Sequence, residues 1–255
     1  MGSTITKHPA GAGLRWLVEG WRLFAKSWGV FIGIMLVMLI LMIGANFIPI
    51  LGQLAVSLFG PVLAGGFFYA CNRLTNDQPI GIGDLFAAFR SGAPTGPLIG
   101  LGALSLVFYL IVFVLMFFAS SSMMVAMDAL QAGSPDAAAM VPPAVVSPMM
   151  LFVSLAVLTL TALWYAAMAF AIPEIAFNGQ GPVQALGRSL KASLRNWLPL
   201  LIFGLLSFLA MMIGLMVTFG LGILVIGPWT GAALYCAWRD IFLSPVSTDS
   251  SVVQV

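Results

Sequence analysis

Every basic residue in the chain falls on the same side of a series of long apolar runs. Six runs are long enough to read as membrane spans of roughly 20 residues: residues 28–47, 51–72, 97–119, 149–172, 197–219 and 221–238. Lys7, Arg15, Arg22 and Lys26 precede the first run, and Arg73 and Arg90 separate the second from the third. Arg188, Lys191 and Arg195 separate the fourth from the fifth, and Arg239 follows the sixth. The other three connections carry no basic residue. Lysine and arginine are retained on the cytoplasmic side of a membrane. The pattern therefore predicts a six-helix protein with both termini in the cytoplasm.

Composition agrees with this reading. Hydrophobic residues make up 61% of the chain and charged residues 7%, against about 25% charged in soluble domains. The first run is longer than a signal-peptide core, follows a basic segment of residues 1–27, and lacks a small-residue cleavage site, so it reads as a retained helix. A net charge of +2 gives no reason to expect nucleic acid as a partner. Two cysteines, Cys71 and Cys236, cannot build a disulfide framework or a cysteine-rich zinc site. The lone His8 is read as a bystander near the terminus, so neither a metal nor a cofactor is expected.

The turns at residues 48–50 and 220 are short enough to force antiparallel helix pairs. The stretch 120–148 is rich in Pro, Ala and Ser and reads as a weakly ordered periplasmic loop, with a short helix around 123–130. Its methionines are irregularly spaced, which favours apolar surface contacts over copper binding. Residues 243–255 read as a flexible cytoplasmic tail.

One stretch is spelled nearly twice. "GPVLAGGFFYACNR" runs from Gly60 to Arg73, and "GPWTGAALYCAWR" from Gly227 to Arg239. Before the first span, Leu14, Leu17, Val18, Trp21, Phe24 and Trp28 share one helical face, with Arg15, Arg22 and Lys26 beside them. Before the fifth, Val183, Leu186, Leu190, Leu194 and Trp197 form a similar stripe opposite Arg188, Lys191 and Arg195. Ile82, Leu85, Phe86 and Phe89 make a shorter version before the third, with Asp84 and Arg90 opposite. Helices of this kind lie in the headgroup layer, where each arginine or lysine gains about 1 kcal/mol from anionic lipid.

The expected architecture is therefore all-α, with three parallel repeats of an interfacial amphipathic helix plus a transmembrane hairpin. The units run over about residues 14–73, 82–174 and 182–242 of a single membrane domain. Arg15, Arg22, Lys26, Arg90, Arg188, Lys191 and Arg195 are the expected headgroup contacts. Pro61 and Pro228 should kink their helices toward protein rather than lipid. Gly60 with Ala64, and Gly227 with Gly231, are small-residue pairs suited to close helix contact.

Nothing in the sequence resembles a catalytic constellation: no nucleophile elbow, zinc-protease helix or phosphate loop is present. Glu174, after Pro173 in "AIPEIAFNGQGP", is an ionisable group close to the hydrocarbon and a functional candidate on that ground. It reads equally as the partner of a nearby cation such as Arg188. Asn46 and Gln53 could line a polar entrance or merely serve helix ends near water. Asp77 and Asp84 read as turn and N-cap residues.

The segment "ALGRSLKASLRNW" and the ending "YCAWRDIF" resemble a family of uncharacterised six-helix inner-membrane proteins of proteobacteria. More distantly they are similar to the membrane domain attached to some glycerophosphodiester phosphodiesterases. The shared pattern is carried by Ala185, Leu186, Ser189 and Leu190. The resemblance implies a bacterial inner-membrane protein; the catalytic domain of those enzymes has no counterpart in this sequence, so their activity is not carried over. Two functions are open at this stage. One is a non-enzymatic scaffold or accessory subunit that binds membrane lipid, preferably anionic, and either a partner membrane protein or further copies of itself. The other is a small permease, channel or lipid translocator with a path between the hairpins.

Overall fold

The computed structural model describes residues 5–90, 92–131 and 148–243, and of residues 118–131 and 148–150 the backbone alone. All regular structure among them is helical. In chain order the helices are α1 (Ala12–Lys26), α2 (Trp28–Asn46), α3 (Leu51–Thr75), a 3₁₀ helix η1 (Ile82–Phe89), α4 (Thr95–Gln131), α5 (Pro148–Met168), α6 (Ala171–Asn178), α7 (Pro182–Arg195), α8 (Trp197–Val217) and α9 (Ile223–Leu243). They fall into two compact units, one of residues 1–102 with 166–255 and one of residues 103–165.

Five segments are long and apolar enough to cross a membrane: Trp28–Asn46, Leu51–Thr75, Thr95–Phe117, Leu151–Asn178 and Trp197–Val217. This is the fold of a multi-pass membrane protein. The expected sixth span does form a helix, α9, but it stands outside this set. Gly227 through Gly231 contribute little apolarity and Arg239 and Asp240 subtract from it. Its far half is buried in protein, where small residues pack better than an all-round apolar surface would.

The second difference lies after the third span. The helix does not stop at residue 119 but runs on to Gln131. At 1.5 Å per residue its 37 residues reach about 55 Å, well beyond a hydrocarbon core of about 30 Å. No proline or glycine lies between Gly102 and Gln131, so the backbone meets no breaker. The rest of the expected loop, residues 132–147, and the tail from residue 244 lie outside the described residues. In the smaller unit, Phe108 stacks on Trp164 with ring centroids 4.4 Å apart and planes within 6°, which fastens α4 to α5.

In the larger unit, α1 breaks at Ser27 and α7 at Asn196, and each is followed at once by a long apolar helix. Asn196 is fully buried. Its amide donates to the carbonyls of Thr6 and Ala192, and its oxygen accepts the His8 N–H at 2.8 Å. The residue thus adds a second donor to a carbonyl in the last turn of α7 and anchors the N-terminal segment in one step. Thr6 N–H also donates to Ile241 O, so the N-terminal segment lies along the end of α9.

The prolines do not act alike. Pro61 and Pro228 are buried, as expected, and α3 and α9 run through both without interruption. Pro173 sits where α5 and α6 are broken. There Ser189 Oγ accepts the Phe170 N–H at 2.9 Å, and both Ser189 and Ser193 donate to the carbonyl of Ala166. Freed backbone groups near lipid require such partners; two serines one turn apart on α7 supply them.

The core of this unit is aromatic. Trp16, Phe31, Phe170, Tyr235, Trp238 and Phe242 are each 2% exposed or less. The close helix approaches are made by glycines other than those expected. A Cβ on Gly20 would collide with the backbone of Ala233, and one on Gly66 with the carbonyl of Leu85. A Cβ on Gly60 would meet nothing, and Ala64 is only half-buried. Gly227 and Gly231 face side chains, those of Met35 and Phe67, rather than a neighbouring backbone.

Candidate functional site

The polar chemistry gathers at the end of the larger unit where α3, α6 and α9 meet α1, η1 and α7. Three carboxylates organise it, and each joins two helices.

The deepest is Glu174 on α6, which is fully buried. Three donors surround it. Arg188 Nε on α7 donates to Oε2 at 2.7 Å, while Asn178 Nδ2 and Trp238 Nε1 donate to Oε1 at 2.7 and 2.9 Å. The Arg188 guanidinium also lies 5.8 Å from the centroid of Phe242, within cation–π range. Phe177 covers Trp238 at 5.0 Å and Tyr69 at 5.3 Å. A carboxylate can be kept in such surroundings only because its lone pairs are met by donors and its charge by Arg188.

Asp84 on η1 is the second, 4% exposed. Its Oδ1 takes Arg73 Nη1 of α3 at 2.6 Å, and its Oδ2 accepts the N–H of Gly81 at 2.9 Å. It therefore reaches back across the start of its helix, where the sequence reading had it accept from residues ahead. Arg90 stands 4.0 Å away and is largely exposed.

Asp240 on α9 is the third. Its Oδ2 takes Arg15 of α1, the Trp16 indole N–H at 2.8 Å and His8 Nδ1 at 3.4 Å. His8 is thus a structural residue rather than a bystander. Burial, the largest single influence, pushes the Asp240 carboxyl up; the Trp16 hydrogen bond with His8 and Arg15 outweighs it and holds the group below the usual carboxylate range. A depressed carboxylate stabilises the fold fully above its unfolded pKa of about 3.9 and loses that contribution as pH falls through the lower, folded value. The detergent-solubilised protein should therefore melt earlier as pH drops from about 5 to about 3. Asp240→Asn should be less stable than wild type at neutral pH and show a smaller drop over that range, since it has no such contribution to lose.

These pairs run in sequence. α3 is tied to η1 by Arg73–Asp84, α6 to α7 by Glu174–Arg188, and α9 back to α1 by Asp240–Arg15. The first two pairs each tie a helix to the short helix that follows it, and the last closes on the first. Tyr235 adds a link from α9 to α3 through its hydroxyl, 2.9 Å from Asn72 Oδ1, and Trp229 Nε1 donates to Leu17 O on α1.

The expected headgroup cations accordingly divide. Arg15 and Arg188 are held by carboxylates of the protein. Arg22, Lys26, Arg90, Lys191 and Arg195 are exposed. The apolar stripes divide as well. On α7 the buried face is Ala185, Ser189, Ala192 and Ser193, while Val183 and Leu194 point outward. On η1, Asp84, Leu85 and Ala88 face in, and Ile82, Phe86 and Phe89 face out. Asn46 bonds back to the carbonyl of Met42 and Gln53 is exposed, so the two form no polar entrance. A cavity of about 480 Å³ is instead an apolar groove between α2 and α3 that includes Met38, Met42, Phe59 and Phe86. Among the described residues no group of three or more His, Cys, Asp or Glu converges as a metal site requires.

Sequence reasoning missed Asn196, Ser189, Ser193 and Asp240 as structural anchors. The signal for the serines was available: their spacing places both on one face of α7, with Ala185 and Ala192, where a lipid-facing surface would be apolar. No family model, curated protein or solved structure matches the chain.

Proposed function

We propose that the protein is a non-enzymatic membrane scaffold or accessory subunit that gathers anionic lipid at one leaflet and packs against partner helices in the bilayer. On this reading α9 is a sixth crossing, both termini are cytoplasmic, and the three short helices open parallel repeats in a bacterial inner membrane. One observation carries the reading over that of a permease. The meeting point of α3, α6 and α9 is filled by aromatic side chains and its buried carboxylates are engaged within the protein. That leaves the basic residues on the outer faces of the short helices as the available polar chemistry.

Lys191 and Arg195 are the cleanest probe, being exposed and in no ion pair among the described residues. At about 1 kcal/mol per cation, Lys191→Gln/Arg195→Gln should lower the preference for anionic over zwitterionic annular lipid by about 2 kcal/mol, or roughly thirty-fold. Energy transfer from tryptophan to pyrene-labelled phosphatidylglycerol or phosphatidylcholine in reconstituted vesicles measures it. Equal transfer to both lipids in the wild type would remove the basis of the proposal.

A further inference from the structure

Of the remaining features, the apolar groove between α2 and α3 has nothing to identify its occupant. A smaller recess does. It has a volume of about 260 Å³ and lies between α1, the end of α3 and α9. Arg22 and Lys26 enter it from α1 and Arg239 from α9, with Glu19, Thr75 and Cys236 completing the wall.

The charges there do not balance internally. Arg15, Arg73 and Arg188 each meet a carboxylate within 2.7 Å. Arg22 and Arg239 have no carboxylate at ion-pair distance among the described residues. Lys26 does approach Asp77 at 3.2 Å, but the Asp77 side chain is 87% exposed, so water screens that pair. Glu19 turns toward Arg15, at 3.7 Å. The Thr75 hydroxyl donates to Cys71 O at 2.9 Å and so caps one of the carbonyls that would otherwise repel an anion at the end of α3. Three cations from two helices thus line a recess whose one acid, Glu19, is turned toward Arg15. Forked guanidinium donors suit the tetrahedral oxygens of phosphate.

We propose that this recess binds a phosphate group, delivered by the headgroup of an anionic phospholipid or by a soluble phosphate ester. The proposal deepens the lipid-binding reading and rests on it for the identity of the donor molecule, but not for the convergence of charge.

The full chain in detergent, stripped of lipid, is titrated with phosphatidylglycerol, phosphatidylcholine, glycerol 3-phosphate or inorganic phosphate. Native mass spectrometry reads stoichiometry and thermal melting reads stabilisation. Binding of one equivalent of phosphatidylglycerol, weakened about tenfold or more by Arg22→Gln/Arg239→Gln, is the expected result. Lys7→Gln removes an exposed cation outside the recess and should leave this affinity unchanged. Stabilisation by phosphatidylglycerol alone assigns the site to lipid; stabilisation by the soluble phosphates at similar concentration assigns it to a soluble ester. Equal losses in Arg22→Gln and Lys7→Gln, which remove one charge each, would show diffuse attraction and overturn the recess while sparing the scaffold reading. Binding of none of the four also overturns it. Should Arg239→Gln fail to fold, Arg22→Gln must by itself weaken binding, and an unchanged affinity would overturn the site.

Discussion

Glu174→Leu is expected to destabilise the protein by about 3–5 kcal/mol, the largest effect of any side-chain truncation at the polar end. The substitution removes the carboxylate that Arg188 meets at 2.7 Å beside the ring of Phe242. Trp238 and Asn178 lose their acceptor at the same time. Adding Arg188→Met removes the guanidinium and fills comparable volume, so the double variant should recover most of the loss. A residual deficit of about 1–3 kcal/mol should persist, because the indole and amide donors stay buried without a partner. Unfolding of the four members of the cycle in mixed micelles, followed by tryptophan fluorescence, gives the coupling directly. If the double variant is no more stable than Glu174→Leu alone, Glu174 and Arg188 are not a unit. The same experiment bears on transport: a proton- or ion-relaying glutamate would leave fold stability nearly unchanged on substitution.

Much of the helical plan was legible because a bilayer leaves a protein few choices. Apolar runs of the required length must be helices, and the first, second and fifth of those read from the sequence match α2, α3 and α8 within a few residues. What was not legible is which face of each short helix meets protein. In water the apolar stripe would be buried and the answer would follow from periodicity. Beside lipid the stripe has two possible destinations. α1 sends Trp16, Leu17 and Phe24 inward and Leu14, Val18 and Trp21 outward. α7 buries alanine and serine instead of leucine. Polar and small residues, not large apolar ones, therefore mark the protein-facing side.

The carboxylates were similarly half-visible. Glu174 stood out by its position, and Arg188 was a named possible partner. Asp84 looked like a helix-end residue and Asp240 did not stand out, because a pairing across the fold leaves no trace in local sequence. Their common logic appears only when the helices are assembled: each ion pair fastens one helix to another. Arg22, exposed, and Arg239, half-buried, are then conspicuous because the rest of the set shows how this fold treats a cation it needs for itself.

Gly20→Ala tests the closest of these assemblies with a single methyl group. Alanine is the better helix former by about 1 kcal/mol, and Gly20 lies inside α1, so propensity alone predicts a gain. The position allows none, since the new Cβ would occupy space already held by Ala233 Cα, N and Cβ on α9. All three contacts are backbone or directly attached to it, so no side-chain rotation relieves them. The two helices must separate, and with them the Trp229–Leu17 and Trp16–Asp240 hydrogen bonds that close the ring. Overpacking of this kind costs about 1–3 kcal/mol, and the loss should be near 3 here. Gly187→Ala is the matched control: it too lies within a helix, α7, but its Cβ would meet nothing within 4 Å. That variant should gain about 0.5–1 kcal/mol. Opposite signs in the two melting curves place the effect at the α1–α9 crossing; a stabilised Gly20→Ala would mean that the crossing is looser than its backbone contacts require.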